Sequence, residues 1–327
     1  MTKKTYEPPP GPPPGYLSGV PTVPDNANLG PLPPYHNWQD AVPDTATFPP
    51  PPVTANYISA TGNASSDDAE RAHEWCDASP LWRAAFPSAH IYQQVQKHQI
   101  QHLKSPEFDG DLSMHDDRWR GYTRNGNGDC ILTTMLPLYF ALVDSPFATE
   151  TRKTIYFEVK LVGLGAGPSP QDASGLAIGY VAQPYPSWRS PGWERGSIGV
   201  FSDDGCRFVN DSFGGKDFTR PFRVGETVGL GMTFELPTEV TAIRGTLKLR
   251  AQVFFTRNGE RVGDWDLHEE RDAEAGGLDG LEGDVDLYAA IGFFGGVDFE
   301  ICYHPRGWLY DCAASEATFP LRGERSE

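Results

Sequence analysis

The stretch SPGWERGSIGVFSDDG, Ser190–Gly205, decides how the rest of the chain is read. Pro184–Trp188 and Pro191–Trp193 place two tryptophan-bearing turns at its start. Ser197–Phe201 is short and alternating, as a strand is, and Asp203-Asp204-Gly205 follows as turn chemistry. Strand, tight turn and aromatic corner share one short span. The combination predicts one corner of a β-sandwich and contains no catalytic constellation.

Outward from that corner the same grammar repeats. Ile155, Phe157 and Val159 alternate with Tyr156, Glu158 and Lys160, which predicts a half-buried strand. Gly175–Val181, Val228–Phe234 and Gln252–Phe255 read as further strands, and Thr256-Arg257-Asn258-Gly259 reads as a type I′ hairpin turn. Leu287–Phe293 and Val297–Tyr303 read as a last pair around Gly295-Gly296. No long helix separates these strands, so a parallel βαβ arrangement fails. The fold class expected is all-β, an antiparallel β-sandwich with short N-terminal helices.

Upstream, Ala69–Glu74 and Ser88–Lys104 carry the helical patterns, the second with an apolar stripe of Ile91, Val95 and Ile100. His98 and His102 stand at i, i+4 in that pattern and could face a metal together. No acidic or cysteine partner lies at a ligand-like spacing, so a solvated polar face is the reading, and no metal site is expected. Arg120–Asp129, with two Asn-Gly steps, is turn chemistry, and Ile131–Met135 and Leu138–Val143 read as short strands interrupted by Pro137.

Composition divides the chain. Sixteen of its 30 prolines precede Val53, so residues 1–68 lack what a core needs and are expected to be a disordered proline-rich tail. Residues 69–315 are expected to form the domain, and 316–327 a disordered C-terminus. A formal charge of −17 argues against nucleic acid as a partner, since a polyanion is repelled. Five scattered cysteines without a CxxC pair suit reduced thiols. The start MTKKTYEPPP has no apolar signal core, and Leu287–Val297, the longest apolar run, falls short of the roughly 20 residues that span a bilayer. A cytoplasmic chain is expected, with the nucleus as the alternative.

The tail carries two short motifs. Pro13-Pro14-Gly15-Tyr16 matches PPxY, and Leu32-Pro33-Pro34-Tyr35 matches LPxY. Both resemble the PY motifs that bind WW domains: a preformed proline helix seats its rings in an aromatic groove and the tyrosine fills a neighbouring pocket. Two such sites could engage tandem WW domains. Pro49–Pro52 reads as a spacer.

Several segments together resemble a SPRY domain, the fold shared by Ran-binding-protein-M-like proteins and fungal SPRY adaptors of HECT-type ubiquitin ligases. The residues that carry the resemblance are Tyr156–Val159, Ala177–Tyr180, Pro191–Trp193, Ser197–Gly199, Asp203–Gly205, Gly225–Gly229 and Val253–Gly259 with Gly263. This chain departs in its last strand, Phe299–Tyr303, where the family carries an Asn-Phe-Gly-like sequence. It also lengthens two connections, Glu235–Lys248 and the acidic Leu267–Asp286, which are expected to decorate the sandwich without changing it.

The resemblance implies binding of partner-protein peptides through loops at one end of the sandwich. Tyr185, Trp188, Arg189, Trp193, Asp203 and Asp204 are the candidate partner-binding residues. Asp203 and Asp204 have a second reading as turn caps. No GxSxG, HExxH, P-loop or dinucleotide-binding pattern occurs, so neither catalytic residues nor a cofactor are expected. The expected function is a non-enzymatic adaptor whose loops hold a target while the PY motifs recruit a WW-domain ubiquitin ligase. The alternative is a scaffold subunit of a larger ligase complex.

Overall fold

Side chains alternate across a pleated strand, so the apolar face of each strand fixes where two sheets meet. The computed structural model describes residues 65–165, 173–212, 215–237, 242–243, 246–269 and 277–312. The two PY motifs and the proline-rich segments lie outside the described residues.

Two helices come first, α1 (Ser66–Ala78) and α2 (Ala89–Gln96). Each is started by a serine whose hydroxyl accepts a free backbone N–H: Ser65 from Asp68 at 3.1 Å and Ser88 from Ile91 at 3.3 Å. The strands β1 (His102–Lys104), β2 (Gly110–His115), β3 (Arg118–Thr123) and β4 (Cys130–Thr134) follow, then two four-residue helices, α3 (Ala141–Asp144) and α4 (Pro146–Thr149). The remaining strands are β5 (Lys153–Leu164), β6 (Gly175–Ala182), β7 (Ser197–Phe201), β8 (Cys206–Val209), β9 (Lys216–Asp217), β10 (Thr227–Glu235), β11 (Ala242–Ile243), β12 (Thr246–Leu247), β13 (Arg250–Arg257), β14 (Glu260–Asp266), β15 (Leu287–Phe294) and β16 (Val297–Cys302).

They form two seven-stranded antiparallel sheets, β1-β4-β15-β6-β7-β8-β9 and β14-β13-β10-β5-β16-β3-β2, and β11 pairs with β12 separately. The inner face of the first sheet supplies Leu132, Leu176, Ile178, Tyr180, Ile198 and Ile291. The inner face of the second supplies Phe157, Val159, Leu230, Phe234, Phe255 and Ile301. Each such side chain contributes roughly 1.5–3 kcal/mol by leaving water. The antiparallel sandwich expected from the strand pattern is the fold observed.

Five local readings need correction. Helix α2 stops at Gln96, because the chain turns left-handed at His98 (φ 56°), and His102 stands in β1. The two histidines therefore share no helix face. Leu138–Val143 is not a strand; it runs into α3, where the Asp144 carboxylate folds back to accept the Phe140 N–H at 2.9 Å. β15 and β16 do not pair with each other. β15 lies between β4 and β6 in one sheet, β16 between β3 and β5 in the other, so Gly295-Gly296 carries the chain across the sandwich. The long acidic connection is more than decoration, since its two ends bring Leu267 and Leu281 into the core.

The fifth correction concerns β5. Tyr156 and Glu158, which alternation assigns to a solvated face, are as buried as Phe157. After β16 a 3-10 turn, Pro305–Gly307, sends the chain back over the outer face of the second sheet as a strap. The Glu158 carboxylate, only 1% exposed, accepts the backbone N–H of Leu309 (2.9 Å) and of Tyr310 (3.0 Å). Tyr310 joins Tyr156 and Phe254 in a small cluster of its own. At the far end of the strap the Asn258-Gly259 turn, both residues at positive φ as a type I′ turn requires, packs against Leu309.

Candidate functional site

The segment between β6 and β7 does not sit at a corner. It lies on the outer face of the first sheet, where Tyr185 packs with Ile131, Val181 and Ala290. This cover explains why every residue of β6 and β7 is buried, on both faces. Pro191 reaches closest, and Gly199 beneath it leaves room for its carbonyl.

Inside the segment many polar groups are spent on one another, though the buried Ser190 hydroxyl is not. Arg189 and Glu194, each with a side chain 2% exposed, pair at 2.7 Å. The Tyr185 hydroxyl donates to the Ser190 carbonyl at 2.6 Å and accepts the Glu194 N–H at 3.1 Å. The Ser197 hydroxyl donates to the Glu194 carbonyl and accepts the Gly192 N–H at 2.8 Å. Arg195 ties the segment to α1 by donating to the carbonyls of Cys76 and Ser79. His73 on α1 reaches Glu194 at 3.5 Å. Burial pushes the Glu194 carboxyl up, and the Arg189 guanidinium pulls it back. A buried pair of this kind fixes a shape rather than adding much stability.

On this support stand the aromatic groups. Trp193 is half-buried, stacked on Phe201 at 5.3 Å, with the Arg189 guanidinium 4.4 Å from its ring centre. Trp188, also half-buried, meets Trp75 edge-on at 6.3 Å and carries the Arg71 guanidinium 3.9 Å from its ring centre. The stripe Asp68, Arg71, Trp75 on α1 thus braces Trp188, whose indole N–H points at the Asp68 carbonyl, 3.4 Å away.

On this face two carboxylates, Asp68 and Asp203, act on a third, Asp129. Burial pushes the Asp129 carboxyl up to about 6; Arg189 opposes the rise, while Asp68 and Asp203 add to it. Asp204 is the turn cap: its Oδ1 accepts the Cys206 N–H at 2.8 Å, and burial raises its carboxyl.

Of the six residues singled out from the sequence, the structure brings Arg189 and Trp193 into cation–π contact, and Arg189 and Asp203 both act on the Asp129 carboxyl. Trp188 stands beside them, braced by α1. Tyr185 and Arg189 are interior supports, 7% and 2% exposed, so the surface of the face belongs to the half-exposed groups. Sequence reasoning missed Asp129, Glu194 and the α1 stripe. The i, i+3 and i, i+4 spacing among Asp68, Arg71 and Trp75 was the available signal. Among the described residues no group of three or more His, Cys, Asp or Glu could hold a metal ion, and no helix there is long and apolar enough to cross a membrane. The geometry offers a rigid aromatic and acidic surface.

No family model matches the chain. A SPRY domain-containing protein of Schizosaccharomyces pombe is 32% identical over 136 residues, 42% of this chain and 28% of that one. Human SPRY domain-containing protein 3 is 32% identical over 116 residues, 35% of this chain and 22% of that one. Protein SSH4 of Vanderwaltozyma polyspora is 29% identical over 124 residues, 38% of this chain and 19% of that one. The matched stretch thus spans about a quarter of the length of these relatives. Among solved structures, a crystal structure of a human SPRY domain has a TM-score of 0.37 at 22% identity, covering 59% of this chain and 95% of that one. The sequence relatives support a SPRY domain in this chain, the matched stretch being similar to theirs.

Proposed function

We propose that the chain is a non-enzymatic adaptor that holds a partner protein on the face built by Trp188, Trp193, Asp129 and Asp203. The observation that carries the reading is Trp188: a large ring left half-exposed, yet held by Trp75 and Arg71 beside the buried Arg189–Glu194 pair. Rigid aromatics on a preorganised support lose little entropy on binding, and such residues anchor interfaces. The surrounding carboxylates favour a partner segment that brings a positive charge beside an apolar side chain. SPRY domains as a family serve protein interaction, which supports the same conclusion.

The adaptor's second arm is the tail. Pro13-Pro14-Gly15-Tyr16 and Leu32-Pro33-Pro34-Tyr35 would recruit a WW-domain protein, in this reading a HECT ubiquitin ligase, from a cytoplasmic chain. Proximity labelling in cells tests the first arm: Asp129→Lys should remove a set of labelled partners, and an unchanged set overturns the assignment of the face. A pull-down on purified WW domains tests the second. Tyr16→Ala combined with Tyr35→Ala should abolish capture, and undiminished capture removes the basis of ligase recruitment.

A further inference from the structure

Between α1 and α2 the chain runs Pro80-Leu81-Trp82-Arg83-Ala84-Ala85-Phe86-Pro87-Ser88, with no helix or strand of its own. Every third residue, Leu81, Ala84 and Pro87, is half-buried, and the others are exposed. Leu81 and Ala84 pack on the core. The backbone is tied down twice. The Trp82 N–H donates to the Gln183 carbonyl at 2.7 Å. The Ala85 N–H donates to Asp286, whose carboxylate also accepts the Ala141 N–H at 2.8 Å.

This fixed segment turns its largest rings outward. Trp82 is 60% exposed and Phe86 77%, the two most exposed large apolar side chains among the described residues. Neither ring meets another ring or a guanidinium there, and the Arg83 guanidinium between them has no ion pair or hydrogen bond among the described residues. The charge around them is also unlike that of the rest. Between Asp77 and Glu107 lies the longest stretch of the chain without Asp or Glu, and Arg83, Lys97 and Lys104 fall within it. A chain of formal charge −17 thus carries one segment of opposite character, with two rings standing out of it.

The size and shape of the feature select its occupant. A stable contact with a second copy takes about 800 Å² and 20–30 residues a side, far more than two rings and a guanidinium supply. The rings project from the segment instead of lining a hollow, so a protein partner would have to provide the matching shape. A lipid surface needs none. Aromatic side chains settle at the level of the headgroups, and a neighbouring cation is drawn to anionic ones. Screening limits that attraction to about 8 Å, so the segment in contact decides it rather than the total charge. The one carboxylate bonded to the segment, Asp286, is half-buried and holds two N–H groups.

We infer that residues 80–88 form a peripheral anchor for an anionic lipid bilayer, with Trp82 and Phe86 entering the headgroup layer and Arg83 lying among its anionic groups. The inference rests on neither the Trp188 face nor the PY motifs.

The test is flotation of the full chain with phosphatidylcholine vesicles containing about 30% phosphatidylserine, beside vesicles of phosphatidylcholine alone. The chain should float with the first at low salt, less at high salt, and little with the second. Trp82→Ser combined with Phe86→Ser should lower the partition coefficient at least about tenfold, and Arg83→Glu should lower it on the anionic vesicles alone. All three side chains are exposed, so melting temperatures should stay unchanged. A second readout uses the native fold: lipids brominated on the acyl chain should quench the emission of the native chain and quench Trp82→Phe less. The inference is overturned if the native chain stays unbound on anionic vesicles, if the double serine variant floats equally, or if Trp82→Phe is quenched as strongly. It is overturned too if sedimentation velocity shows a dimer that the double serine variant dissolves, which would place a second copy on these rings.

Discussion

Gly199 lies so close under Pro191 that a Cβ on residue 199 would stand 2.1 Å from the Pro191 carbonyl oxygen. The approach lets the β6–β7 segment rest flat on the first sheet, and backbone on both sides leaves nothing soft to yield. Gly199→Ala should cost about 2–4 kcal/mol, comparable to severe overpacking, read as a fall in urea midpoint at constant slope. An unchanged midpoint would show that the segment is free to lift.

The Arg189–Glu194 pair should show the asymmetry of buried charges. Arg189→Met alone leaves a carboxylate uncompensated and should cost about 3–5 kcal/mol. Arg189→Met combined with Glu194→Gln should cost clearly less. A double-mutant cycle by chemical denaturation checks this, and simple additivity would contradict the coupling.

His102 sits between Trp119 and Tyr303, and burial pushes its imidazole down to about 3. The unfolded chain binds that proton near pH 6.5 and the folded chain does not. Stability from this residue is therefore full above pH 6.5 and is lost as pH falls toward 3, by up to about 1.4 kcal/mol per unit. His102→Phe should flatten the acid limb of a melting-temperature profile between pH 6.5 and 3.

Asp129 works in the opposite sense across part of the same window. Its folded value of about 6 lies above the ordinary 3.8, so its stabilising share is present below pH 3.8 and is lost as pH rises through 6. Asp129→Asn should raise stability at pH 7 by about 2 kcal/mol and leave it nearly unchanged at pH 4. Calorimetry at the two pH values would separate this from a general packing change, which moves both.

Glu158 holds the strap by its amide groups, so Glu158→Ala should strand two N–H groups and loosen Trp308. The expected cost is about 2–4 kcal/mol, with a red shift in tryptophan emission as the indole meets water. Retention of native emission would place the strap's anchorage in its rings alone.

Much of the sandwich was legible because strands announce themselves locally. Ser197–Phe201 and the Asn258-Gly259 turn could be placed from a few residues each. Most of the misreadings have one physical cause, a deciding contact far away in the chain, whereas that of Leu138–Val143 is local. Tyr156 and Glu158 alternate as a solvated face should, and only the strap some 150 residues later buries them. Leu138–Val143 is apolar enough for a strand, but Asp144 turns its amides into a helix start. At the candidate site the tryptophan turns stood out by composition. Asp129 did not, since its raised carboxyl arises from burial and from Asp68 and Asp203, neither of them its neighbour in sequence.

The crossing at Gly295-Gly296 also bears on the order of assembly. β3 and β4 are separated by a short turn, yet β3 must wait for β16 and β4 for β15. On a ribosome, each would emerge with its first neighbour, β2 or β1, but long before its second, holding Leu132 and Trp119 without a finished core to cover them. The sandwich cannot close progressively from its N-terminal side. Its opening strands gain their second neighbours only once residue 302 has been made, and pairings this distant in sequence are of the kind that slows folding.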